Sequence, residues 1–174
     1  VLASAAGETV TVSLFMEARL EGEADSANVI AEIRGSEKPD EVVVMGGHYD
    51  SWDVGQGAHD DGCSSMAAWQ ALTLLKEMGL RPRRTLRVVL WTNEENGLNG
   101  GRVYREALGP DVSSHVAAIE MDGGCERPVG FGFGLTRPGA PAPSRRAGRP
   151  DEPEDPDAQK ALATLRRIGS LFSG

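Results

Sequence analysis

The stretch His48–Asp61, HYDSWDVGQGAHDD, packs two histidines and four carboxylates into a single short segment. An apolar run, Val42–Met45, precedes it and a helical pattern follows it. A loop dense in hard ligands between two rigid elements is what a site needs. Two more acidic clusters end other apolar runs: Glu94-Glu95 after VVLWTN, and Asp122 after AAIEM. One imidazole with several carboxylates suits zinc or another first-row divalent ion, and a carboxylate shared by two ions suits a dinuclear centre. Asp50, two residues after His48, is placed to accept that ring's second N–H and fix its tautomer.

Each cluster alone has a plainer explanation. A lone His-x-Asp is common. Asp60-Asp61-Gly62 also reads as a turn and helix N-cap, because Asp accepts N–H bonds there. Glu94-Glu95-x-Gly also reads as an exposed helix start, where acidic residues suit the dipole. The conjunction carries the metal reading: all three clusters follow buried strand-like runs, in order.

The elements that must position these residues follow from periodicity. Residues 9–20 alternate polar and apolar at first, as a half-buried strand does, and residues 27–34 (ANVIAEIR) predict a second strand. Val42–Met45 is apolar without alternation, which suits a strand covered on both faces. Helical spacing runs from Gly62 to Met78 through Met66, Ala68, Trp69, Leu72 and Leu75, with Gly79 as C-cap and Pro82 beyond it. Thr85–Thr92 is the next buried strand, residues 97–108 a helix, and His115–Met121 another strand. Strands alternating with helices give an α/β class with a mixed, mainly parallel central sheet flanked by helices, its first two strands forming an antiparallel edge. In such sheets ligands gather beyond the carboxyl ends of the strands, which would bring His48, Glu94, Glu95 and Asp122 to one edge.

Composition sets outer limits. The 174 residues suffice for about one domain with a real core. A net charge of -8 offers no footprint for phosphate backbones, so nucleic acid is not an expected partner. No apolar run approaches the roughly 20 residues of a membrane span. VLASAAG has neither an initiator methionine nor the charged and apolar regions of a signal peptide, so the chain is expected to be a fragment, incomplete at both ends. Cys63 and Cys125 are too few for a disulfide scaffold; they could approach one another or be two free buried thiols. Trp52 and Trp69 are expected in core or loop packing. Residues 137–157 hold six of the ten prolines and read as a loop or disordered insert. Residues 158–174 regain a helical pattern. The expected division is therefore 1–136 as a partial catalytic domain, 137–157 as the insert and 158–174 as the start of the remainder.

GGHYDSW, GAHDDG, LWTNEENG and IEMDGG together resemble the zinc peptidase family of aminopeptidases and glutamate carboxypeptidases. The resemblance covers about residues 27–135 and implies a zinc-exopeptidase-like phosphorylase/hydrolase fold. It implies two zinc ions bridged by Asp60, with His48 and Asp122 completing the first site and Glu95 binding the second. Glu94 would be the general base and Asp50 the partner of His48. It further implies a cis bond between Asp60 and Asp61. The activity implied is a zinc-dependent exopeptidase that hydrolyses dipeptides or short peptides with a water activated between the ions. An aminopeptidase of the same family is the nearest alternative. The related amidohydrolases that deacylate N-acyl amino acids usually carry a lid domain, for which this chain has no room. One departure stands out. The family's second zinc takes a histidine near the end of the catalytic domain, and neither His59 nor His115 matches that position. A catalytically impaired binding module on the same fold is therefore a further alternative. By resemblance the protein would be secreted or otherwise extracytoplasmic, with a peptide as partner; a homodimer is left open.

Overall fold

The computed structural model describes residues 11–124 and 156–170. Four strands form one sheet in the order β1-β3-β2-β4: β1 Val29–Ile33, β2 Lys38–His48, β3 Arg84–Trp91 and β4 His115–Glu120. Strand β2 lies parallel to both β3 and β4, and β1 runs antiparallel to β3. The mixed, mainly parallel α/β sheet read from the sequence is thus the fold. Helix α1, Cys63–Glu77, follows β2; α2, Asn99–Leu108, follows β3; and α3, Pro156–Ser170, is the last described element.

The core explains the unalternating strands. Val88 and Leu90 of β3 are buried with Leu72 of α1, against Ala31, Ile33, Met45, Ala68 and Leu86. Val89, whose side chain faces the other way on the pleat, is buried too, as is Val44 of β2. Beneath α2, on this second face, lies a cavity of about 330 Å³ lined by Val44, Trp91, Leu98, Tyr104 and Leu108. Helix α1 closes as predicted, with Gly79 at φ 67 and its N–H on the Lys76 carbonyl.

Several expectations are corrected. Residues 11–20 form no strand, and Val12, Leu14, Phe15, Met16 and Leu20 are all exposed. Alternation alone does not make a strand; a ladder partner must be present. The antiparallel edge is instead built by β1 against β3. On α1, Met66 and Trp69 are exposed while Leu72 and Ala68 meet the sheet, because a helix over a narrow sheet touches it along one stripe. Trp52 is exposed as well. The last helix starts at Pro156, so Pro156 and Asp157 belong to it rather than to the expected insert. Residues 137–155 and Cys125 lie outside the described residues, whereas the Cys63 thiol donates to the His59 carbonyl at 3.0 Å.

Candidate metal centre

Parallel pairing brings the strand ends together. In register, His48 stands opposite Trp91 and Gly46 opposite Glu120, so the residues that follow β2, β3 and β4 share one edge. Gly46 and Gly47 permit this approach: a Cβ at Gly46 would overlap the Val89 carbonyl, and one at Gly47 would overlap the Asp61 carboxylate.

His48 is fully buried and held on every side. Its N–H donates to Asp61 Oδ2 at 3.0 Å, and its carbonyl accepts from Ser65 Oγ at 3.0 Å. Ring Nδ1 lies 2.9 Å from the Asp50 backbone carbonyl, which can only accept, so Nδ1 carries the proton. Nε2 then faces Asp60 Oδ1 at 3.1 Å, Asp122 Oδ1 at 3.2 Å and Glu94 Oε2 at 3.9 Å. Burial by itself would depress this imidazole. The Asp50 carbonyl and the Asp122 carboxylate outweigh it, with help from the charge of Asp61, and pull the ring up to about 8. Burial also pushes the Glu94 carboxyl up, against the pull of His48 and with Asp122, Glu95 and Asp50 adding to the rise.

Two sets of side chains offer ligand atoms within 4.8 Å of one another: His48 with Asp60 and Glu95, and His48 with Glu94 and Asp122. Five of the six acidic or imidazole groups singled out in the sequence, all but Asp50, therefore fall in these sets. The donor chemistry fits a divalent ion. Ligands 2.0–2.2 Å from one tetrahedral ion lie about 3.3–3.6 Å apart, close to the spacing of Nε2 from its two aspartates. In these sets Asp60 goes with Glu95 and Asp122 with Glu94, and His48 is common to both. The peptide bond between Asp60 and Asp61 is cis, as the resemblance implied.

The Asp50 side chain differs from expectation. Its Oδ1 lies 3.8 Å from Nδ1 of His48, too far for a hydrogen bond, because its own backbone carbonyl fills that place. The carboxylate turns to the next strand end and accepts the N–H groups of Glu94 at 3.0 Å and Glu95 at 3.3 Å. Sequence reasoning missed Asp61, a buried carboxylate beneath the centre that burial pushes up; the Asp-Asp pair was its only signal. No second histidine joins the cluster. The His59 ring packs on Gly124, and His115 Nε2 sits 2.9 Å from the Tyr104 hydroxyl.

The chain is similar to several known proteins. Residues 28–149 match Peptidase family M28. Carboxypeptidase Q of Rattus norvegicus is 47% identical over 127 residues, covering 73% of this chain and 27% of the relative. Carboxypeptidase Q of Homo sapiens is 46% identical over the same length, with the same coverage. Among solved structures, a Peptidase M28 precursor from Shewanella amazonensis SB2B aligns with a TM-score of 0.50 and 44% identity, covering 56% of this chain and 22% of that one. The chain spans about a quarter of the length of the curated relatives it matches.

Proposed function

Because the chain belongs to peptidase family M28, we propose that it carries the metal centre of a zinc-dependent exopeptidase of the carboxypeptidase Q type, acting on dipeptides or short peptides. The observation that supports this best is His48 Nε2 set between Asp60 and Asp122, with Glu94 and Glu95 in the two adjoining sets. His48, Asp60, Glu95 and Asp122 would hold zinc, which when bound polarises a scissile carbonyl and makes water a nucleophile near neutral pH. Glu94 is the general base: its carboxyl, raised by burial, takes a proton from the attacking water and gives it to the leaving amine. The Asp50 carbonyl keeps the proton of His48 on Nδ1, leaving Nε2 for the metal side.

Residues 1–136 would belong to the catalytic domain, with 137–157 largely an insert. An extracytoplasmic location is part of the same proposal; no helix among the described residues is long and apolar enough to cross a membrane. Of the other histidines in the given sequence, His59 packs on Gly124 and His115 bonds Tyr104, so neither is assigned to a second ion.

The test is zinc content and dipeptide hydrolysis for the unmodified protein and for Glu94→Gln. Zinc retained with turnover down a hundredfold or more supports Glu94 as base. Zinc lost with turnover makes Glu94 a ligand instead. Zinc bound by an unmodified protein that hydrolyses nothing would favour the silent binding module, and no zinc uptake at all would sink the reading.

A further inference from the structure

We infer that the Asp50 carboxylate is a positioning residue for Glu94 and Glu95, seated in a backbone nest that fixes where both glutamates point. This rests on the roles proposed for those glutamates; the seat itself rests on geometry alone.

The chain leaves β3 in a tight turn. Asn93 takes φ 55, a left-handed conformation rare outside glycine, and Asn99 N–H returns to its carbonyl at 3.1 Å. Gly97 N–H and Leu98 N–H both bond the Glu94 carbonyl at 3.1 Å. These bonds use the carbonyls of the turn and leave the N–H groups of Glu94 and Glu95 side by side with no ladder or helix partner. Two successive N–H groups in such a turn form a concavity that binds an anion. Here the anion is supplied from within: Asp50 Oδ1 and Oδ2 take one N–H each, at 3.0 and 3.3 Å. The side chain reaches across because β2 and β3 end together, with Tyr49 N–H still bonded to the Trp91 carbonyl at 2.9 Å.

One residue thereby sets two parts of the centre by different atoms. Its backbone carbonyl orients the His48 ring, and its carboxylate holds the turn that presents Glu94 and Glu95. The consequence separates this role from a carboxylate that orients the imidazole. Removing the side chain should leave the ring's Nδ1–H acceptor in place and free the two glutamates. Asp50→Asn is the sharp variant, since it keeps the shape but turns one acceptor into a donor facing an N–H.

The experiment is amide hydrogen exchange and ¹⁵N-resolved NMR on metal-free protein, unmodified and as Asp50→Asn. In the unmodified protein the Glu94 and Glu95 amides should exchange at least tenfold more slowly than exposed turn amides. In the variant both should speed up tenfold or more while the His48 Nδ1–H signal stays put. Fast exchange of both amides in the unmodified protein overturns the proposal, and that measurement decides the matter even if the variant does not fold. So does a variant that leaves the amides unmoved and shifts the His48 ring. Protected amides in a protein that takes up no zinc would keep the seat and remove the peptidase reading, so the two can fail separately. With zinc, Asp50→Asn should weaken binding about 10- to 100-fold, the usual range for partners that orient ligands.

Discussion

The backbone N–H of His48 donates to Oδ2 of Asp61 at 3.0 Å, and both residues are fully buried. That bond ties the end of β2 to the turn that presents Asp60, so the centre's imidazole and one of its carboxylates share a fixed backbone.

Asp61→Ala should therefore destabilise the metal-free protein by about 1–3 kcal/mol, since it strands a buried N–H. Asp61→Asn, which keeps one acceptor oxygen, should cost less. Urea unfolding of the two variants beside the unmodified protein gives the order. A loss under about 0.5 kcal/mol for the alanine would place the anchor elsewhere.

Gly47 and Gly101 should respond to alanine with opposite signs. A Cβ at Gly47 overlaps the Asp61 carboxylate, and displacing it should cost about 1–3 kcal/mol and weaken zinc binding. Position 101 lies inside α2 with open space around it, so alanine there should stabilise by up to about 1 kcal/mol. Thermal melts of the two variants check both signs together.

The acid–base behaviour of His48 predicts a pH window. Its folded value of about 8 stands above the ordinary 6.5, so the charged ring favours the folded state of the metal-free protein. That contribution is complete below pH 6.5 and is lost as pH rises through 8. Melting temperature in the presence of a chelator should fall by a few degrees across this interval. With zinc in excess the trend should reverse, because the ion competes with the proton on Nε2 and its stabilisation grows as that proton leaves. A chelated protein whose melting is flat from pH 6.5 to 8 would show that the ring is not charged in the fold.

Helix α1 offers a test of which stripe faces the sheet. Leu72→Ala removes a buried side chain from the contact with Val88 and Leu90 and should cost about 2–4 kcal/mol. Met66→Ala, on an exposed position of the same helix, should change stability by about 0.5 kcal/mol or less. Equal losses would mean that Met66 is covered.

Much of this molecule was legible before any coordinates. The apolar runs at Val42–Met45 and Thr85–Thr92 lack alternation because strands buried on both faces need no polar side, and that signal is local. The candidate ligand types at His48, Asp60, Glu95 and Asp122, and the candidate base at Glu94, are equally local, being a matter of which side chains end or follow those runs. Tertiary structure alone decided three things. Residues 11–20 alternate like a strand but have none of the described chain to pair with, and pairing is a property of two segments. Asp61 is a buried anchor rather than a loop acid, which only the packing of Gly47 against it reveals. Asp50 sits two residues from His48, yet its carboxylate serves Glu94 and Glu95, 44 and 45 residues away. Sequence spacing gives the nearest partner along the chain. Hydrogen bonding is settled by the nearest unsatisfied donors in space, and those arrive on the neighbouring strand.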